Sequence, residues 1–229
     1  MQPFVYNAHP ARVIFGSGTL SQLPAEVERL GLEQLTLVAH DFGGPIALPL
    51  AFRRPDLVKR LVVTNSWMWS FAGDHDMEAK GKIAGSAVGK ALYRWANISL
   101  KVIMPSAYGD RSKLTPEIHR QYLERFPDSW SRGAVLWPLA HALLGSGSFY
   151  DSLWFERARL SGTPSLVIWG MSDSAFKPHQ LAKWREALPQ AHVVELPDAG
   201  HWPHEEDPAA FESALRAFLT ADTRIRMSS

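Results

Sequence analysis

No cysteine occurs among the 229 residues. Disulfides, thiolate catalysis and cysteine-based metal sites are therefore excluded. An imbalance of charge is also missing. The 24 Lys and Arg are matched by 23 Asp and Glu, which gives no support for a nucleic-acid or membrane-surface partner. No uncharged apolar run approaches membrane-spanning length. Met1-Gln2-Pro3-Phe4 has no basic region leading into an apolar one, so it does not read as a signal peptide. No internal repeat is present. The expectation is a soluble cytoplasmic protein with one full core, needing neither metal nor cofactor. What the chain has in quantity is aromatic side chains, nine Trp and eleven Phe among them.

The most informative stretch is Leu35–Gly44, LTLVAHDFGG. An apolar run of strand type, Leu35 to Ala39, leads directly into His40-Asp41-Phe42-Gly43-Gly44 and then into the helix-like PIALPLAFRRP. A strand, a sharp turn and a helix, with small residues beside the central one, is the arrangement that lifts a nucleophile above a parallel sheet. Here the lifted residue is Asp41, framed by Ala39 and Gly43, where strand and helix backbones need room to pass. A carboxylate in that place can attack carbon directly and form an ester. The alternative is that Asp41 only caps the following helix.

Before this stretch the sequence predicts a strand, Arg12–Phe15, a Gly16-Ser17-Gly18 turn, and a helix carrying Leu20, Leu23, Val27 and Leu30, stopped by Gly31. After it come a helix over about 45–52, ended by Pro55, and a buried strand Leu61–Thr64 running into Asn65-Ser66-Trp67-Met68-Trp69. Residues from about 72 to 160 show helical stretches and no strand-like alternation. Thr115-Pro116 marks one helix start. Strands return at Ser165–Trp169 and His192–Leu196, with helices at Gln180–Leu188 and Pro208–Leu219. Alternating strands and helices mean a parallel α/β sheet, and the helical insertion is a natural cap over its cleft.

In such a sheet, chemistry sits beyond the carboxyl ends of the strands. Asp41, Asp173 in GMSD and His201 in DAGH fall at three separate strand ends. Asp41 would attack carbon. His201, held in one tautomer by Asp173, would take a proton from water and direct it at the Asp41 ester. Taken singly, Asp173 also reads as a turn residue and His201 as a loop histidine.

With HDFGG, GMSDSAF and DAGHWPHEEDP in place, residues from about 32 to 221 resemble the α/β-hydrolase superfamily, in its haloalkane dehalogenase and epoxide hydrolase branch. The resemblance implies an Asp41–His201–Asp173 triad, a cap over about 72–160, a core of 32–71 and 161–221, a tail of 222–229, and hydrolysis of a small hydrophobic substrate through an alkyl–enzyme ester. Dehalogenases of that branch carry Trp after the nucleophile, and its indole N–H holds the departing halide. Phe42 stands there in this chain and has no such donor. Trp67, Trp69, Trp130 and Trp137 are the candidates to replace it as pocket residues. Epoxide hydrolases use cap tyrosines to protonate the opening oxygen, and Tyr93, Tyr108, Tyr122 and Tyr150 are available.

The strands that precede the elbow in that branch, with their donor loop, have no counterpart here. Instead, residues 1–31 resemble the N-terminus of maleylacetate reductases, as in a fusion joined near Gly31–Leu35. A strand Arg12–Phe15 paired beside Leu35–Ala39, with the Gly16–Gly18 turn near the elbow, is the expectation. So is an exposed sheet edge that favours self-association. Three functional readings follow: a dehalogenase-like hydrolase, an epoxide hydrolase, and a crippled fusion relic without its donor loop.

Overall fold

The structure is a computed structural model that describes residues 22–226. The expected strand Arg12–Phe15 and the Gly16–Gly18 turn lie outside the described residues. The chain divides into two units, Met1–Glu33 and Gln34–Ser229. Of the first, helix α1 (Leu23–Arg29) is described. It is followed by Gly31 at φ +63°, a conformation that suits glycine after a helix end.

The second unit is built on four parallel strands in the order β1 (Leu35–Asp41), β2 (Val58–Ser66), β3 (Ser165–Gly170) and β4 (His192–Leu196). Each strand begins where the sequence predicts, within a few residues, because short apolar, β-branched runs bounded by turn residues suit a pleated sheet. Every residue of β3 is buried. Val38↔Val62, Val62↔Leu166 and Leu166↔His192 set the register across the sheet. Among the described residues β1 is an edge strand, and its Val38 is 55% exposed.

Helix α2 (Gly43–Arg53) leads from β1 to β2. The regular elements between β2 and β3 are all helical, among them α3 (His75–Gly85), α4 (Ala87–Ala91) continued by a π-helical turn Leu92–Ala96, a second such turn Ser99–Ile103, α5 (Met104–Ala107), α6 (Pro116–Arg125), α7 (Ser129–Ser131), α8 (Trp137–Gly145) and α9 (Gly147–Glu156). Thr115 caps α6 by accepting from the Ile118 N–H, with Pro116 at its first turn. Then α10 (Pro178–Ala187) joins β3 to β4, and α11 (Pro203–Glu206) and α12 (Pro208–Arg226) close the chain.

Phe211, Leu215 and Phe218 of α12 pack on Val62, Leu166, Ile168 and Leu196 of the sheet. Leu61, Val63 and Val167 alternate to the other face and are also buried. Among the described residues no helix is long and apolar enough to cross a membrane.

Candidate active site

Asp41 ends β1 in a left-handed conformation, φ +50°. A non-glycine residue there is strained and persists only where its surroundings enforce it. Ser66, at the end of β2, does so by donating its hydroxyl to the Asp41 carbonyl at 2.6 Å. Behind the turn, a Cβ on Gly44 would sit 1.9 Å from Ser66 Oγ. The close approach expected at Gly43 thus belongs to Gly44, since a Cβ on Gly43 would meet nothing within 4 Å. The difference follows from the turn: Gly43 opens α2 on its outer side, and Gly44 is the residue that faces the neighbouring strand.

The three strand-end residues come together. His201 Nδ1–H donates to Asp173 Oδ2 at 2.8 Å, and His201 Nε2 stands 3.9 Å from Asp41 Oδ2. Asp173 is buried, whereas the Asp41 side chain keeps 37% of its exposure. Burial alone would raise the Asp173 carboxyl. The His201 charge and hydrogen bonds from His201, the Ala175 N–H and Asn65 reverse that and lower it. Burial likewise pushes His201 down, but Asp173 and Asp41 outweigh it and hold the imidazole at about 10.

Residues not singled out in the sequence complete the support. Asn65, buried at φ +35°, donates to Asp173 Oδ2 at 2.9 Å and to the Gly170 carbonyl, and accepts from the Gly170 N–H. His40 donates from Nε2 to the His201 carbonyl at 2.7 Å. Burial and the neighbouring His201 depress its imidazole to about 4, so it is neutral near pH 7. Glu206 accepts N–H bonds from Gly109, Asp110, Gly200 and Trp202. It therefore clips the His201 loop to the base of the cap. Glycines make that crossing possible: a Cβ on Gly200 would lie 2.3 Å from the Ala107 carbonyl, and one on Gly170 would lie 1.9 Å from the Gly200 carbonyl. Glu205 accepts from the hydroxyls of Tyr108 and Tyr122. The sequence signal for the two glutamates was DAGHWPHEEDP itself, where they stand four and five residues after His201.

Asp41 and His201 open into a cavity of about 290 Å³ walled mainly by apolar side chains, among them Phe42, Tyr93, Met104, Leu139, Phe176 and Trp202. The expected aromatic pocket is only partly realised. Phe42 lines the cavity, and Trp67 lies behind it, edge-on at 4.7 Å and stacked on Phe176 at 5.3 Å. The Trp67 indole N–H is buried and has no hydrogen-bond partner among the described residues. Trp69, Trp130 and Trp137 do not line this cavity. Trp69 packs between Trp154 and Trp184, Trp137 lies beside His141 and under Lys90, and Trp130 is 73% exposed. Aromatic residues fill whatever space a fold leaves, and their spacing in sequence does not say which space. Among the described residues no cluster of His, Asp and Glu could hold a metal ion.

The α/β hydrolase fold family matches residues 20–208. The chain belongs to that family. The match begins upstream of the expected Gly31–Leu35 junction. Haloalkane dehalogenase 2 of Mycobacterium tuberculosis is 29% identical over 191 residues, 82% of this chain and 65% of the relative. A cis-3-alkyl-4-alkyloxetan-2-one decarboxylase of Shewanella oneidensis is 29% identical over 208 residues, 88% of this chain and 65% of the relative. Mouse epoxide hydrolase 3 is 27% identical over 205 residues, 83% of this chain and 53% of the relative. The chain thus spans about 65% of the length of the first two. Among solved structures, haloalkane dehalogenase DbeA of Bradyrhizobium elkanii superposes with a TM-score of 0.74 at 24% identity, over 92% of this chain and 74% of that one. Haloalkane dehalogenase DatA of Agrobacterium tumefaciens does so with a TM-score of 0.74 at 22% identity, over 93% and 76%. These likenesses establish the fold.

Proposed function

We propose that this α/β hydrolase cleaves a carbon–heteroatom bond in a small hydrophobic substrate, with Asp41 as nucleophile, in the manner of a haloalkane dehalogenase. The observation that carries the reading is the Asp41 carboxylate. It is raised on a strained strand end in an apolar cavity, 3.9 Å from a histidine whose other nitrogen is fixed by Asp173.

An Asp41 oxygen attacks the carbon that bears the leaving group. The C–O bond forms as the C–X bond breaks, and its electron pair leaves with X⁻. The N-terminus of α2 behind Asp41 places the positive end of a helix dipole at that point. Esterification removes the Asp41 charge, which is one of the two interactions that hold His201 protonated, so the imidazole becomes a competent base as the intermediate forms. His201 Nε2 then takes a proton from water. The water oxygen adds to the Asp41 carboxyl carbon, the bond to the alkyl oxygen breaks, and the alcohol leaves while the carboxylate is restored. The balance is one water consumed, with one alcohol and one HX released.

A second reading is favoured by Tyr93. It lines the cavity, burial raises its phenol, and its hydroxyl has no hydrogen-bond partner among the described residues. Such a group can protonate an opening epoxide oxygen. Tyr108 and Tyr122 are already committed to Glu205, and Tyr150 donates to the Ala142 carbonyl. The reductase-like reading of residues 1–31, and self-association through the β1 edge, belong to the same proposal, as an appended segment and its consequence for the sheet. In the relic reading no ester forms at all.

The test is to incubate His201→Ala protein with a short bromoalkane and with styrene oxide, then weigh the peptide containing Asp41. An alkyl adduct from the bromoalkane supports dehalogenation. An adduct from styrene oxide alone, lost in Tyr93→Phe, supports the epoxide reading. A folded protein that gains no mass from either sinks both.

A further inference from the structure

Helix α4 and the turn that continues it form one amphipathic segment, with an apolar face directed at solvent. Val88, Leu92 and Trp95, at positions i, i+4 and i+7, are 68%, 36% and 68% exposed. Ala87, Ala91 and Ala96 complete a shallow apolar groove along the same side. The opposite side is the buried one: Gly89 packs against the Ile83 carbonyl, and Tyr93 reaches the cavity that holds Asp41. Beyond the two ends of this segment, Ile83, Val102 and Ile103 are exposed as well.

Along this stretch of the chain the charge has one sign. Between Glu78 and Asp110 the sequence carries Lys80, Lys82, Lys90, Arg94 and Lys101 and no acidic residue. Lys80 and Lys82 pair with Asp76 and Glu78. Lys90, Arg94 and Lys101 have no carboxylate partner among the described residues. Arg94 lies over the Trp95 ring at 5.1 Å, and Lys90 over Trp137 at 4.5 Å. The adjoining α7 brings Asp128 nearby, but its carboxylate caps that helix through the Ser131 N–H.

We propose that this outer face of the cap docks on an anionic lipid surface. An exposed apolar stripe with Trp at its end and cations beside it is the composition that binds in the headgroup layer, where apolar burial and charge attraction act together. A second copy of the chain is a poorer occupant, since face-to-face packing would set Lys90, Arg94 and Lys101 against themselves. The near-zero net charge, which argued against a membrane-surface partner in the sequence, averages this local excess away. Docking would place the helix that carries Tyr93 between lipid and cavity, which suits a substrate dissolved in the bilayer. The proposal does not depend on the Asp41 chemistry, and its test needs no turnover.

The test is co-sedimentation of the whole protein with vesicles of phosphatidylcholine alone and of phosphatidylcholine mixed with phosphatidylglycerol. Binding is expected to the anionic vesicles at low salt, and to weaken as salt is added. Lys101→Ala should weaken it about fivefold, and Val88→Asp with Trp95→Asp should abolish it, with the melting temperature kept. Should the double variant fail to fold, quenching of native tryptophan fluorescence by brominated phosphatidylglycerol replaces it. No binding by the folded native protein, binding unchanged in the folded double variant, or no quenching overturns the proposal. So does a lipid-free dimer that the double variant dissociates, found without vesicle binding, because a second copy then covers the face.

Discussion

His201 Nε2 stands 3.9 Å from Asp41 Oδ2, an ion-pair distance and not a hydrogen bond. The imidazole is anchored on its other side, by Asp173 at 2.8 Å. One carboxylate is hydrogen-bonded to the ring, and the other faces its second nitrogen without a hydrogen bond.

This division predicts how the ring titrates. Asp41→Asn removes one negative neighbour and should lower the His201 pKa, read from its imidazole resonances in NMR. Asp173→Asn should lower it too and also release the tautomer. Turnover near neutral pH is then expected to fall by about 10⁴-fold, as in triads whose orienting carboxylate is lost. An unchanged rate in folded Asp173→Asn would remove Asp173 from the mechanism.

Stability should peak near neutrality, for opposite reasons on its two sides. His201 is raised from 6.5 to about 10. Its contribution is complete below its unfolded value and is lost as pH rises from 6.5 through 10. His40 is lowered from 6.5 to about 4. Its neutral burial is favourable above 6.5, and stability falls as pH drops from there towards 4. His204, lowered chiefly by burial, acts in the same direction as His40. Each limb is on the order of a few kcal/mol. Urea midpoints measured across pH should show both limbs. His40→Gln should flatten the acid one and leave the alkaline one in place.

The two glycines after the elbow should respond differently. Gly44→Ala drives a methyl group into Ser66 Oγ and should cost about 1–3 kcal/mol, with loss of activity as the Ser66 hold on Asp41 shifts. Gly43→Ala meets open space and should be close to neutral. Thermal unfolding of the pair separates the positions, and equal effects would mean the turn is organised otherwise.

Glu206 should matter more than Glu205. Glu206 is 4% exposed, and burial raises its carboxyl against the pull of the backbone N–H groups it serves. Glu206→Ala leaves those donors unpaired and should destabilise by about 3 kcal/mol. Glu205→Ala frees only two tyrosine hydroxyls. It should change KM more than stability, because Tyr122 lines the cavity.

The strands were legible because each is a short apolar run bounded by turn residues, and a chain this size can bury such runs only in a sheet covered on both faces. Asp41, Asp173 and His201 were legible because a parallel sheet puts all its carboxyl ends on one edge. Thr115 announced its helix through its own hydroxyl and the proline beside it. Asn65 was not legible: its value lies in reaching both Gly170 and Asp173, more than a hundred residues away in the chain. The tryptophans misled for a related reason. Trp130 and Trp67 have the same chemistry, and only packing decides that one meets solvent and the other lies behind Phe42.

Local rules, namely periodicity, turn chemistry and strand ends, are written in the order of the residues. They were enough to determine a parallel sheet, a helical insertion and an acidic side chain at a sharp turn. The tertiary structure alone decided the spacing of that side chain from the imidazole, the glycine that makes room for it, and the outward face of α4. Those depend on side chains that meet only after the chain has folded back on itself, and no local pattern encodes such distances.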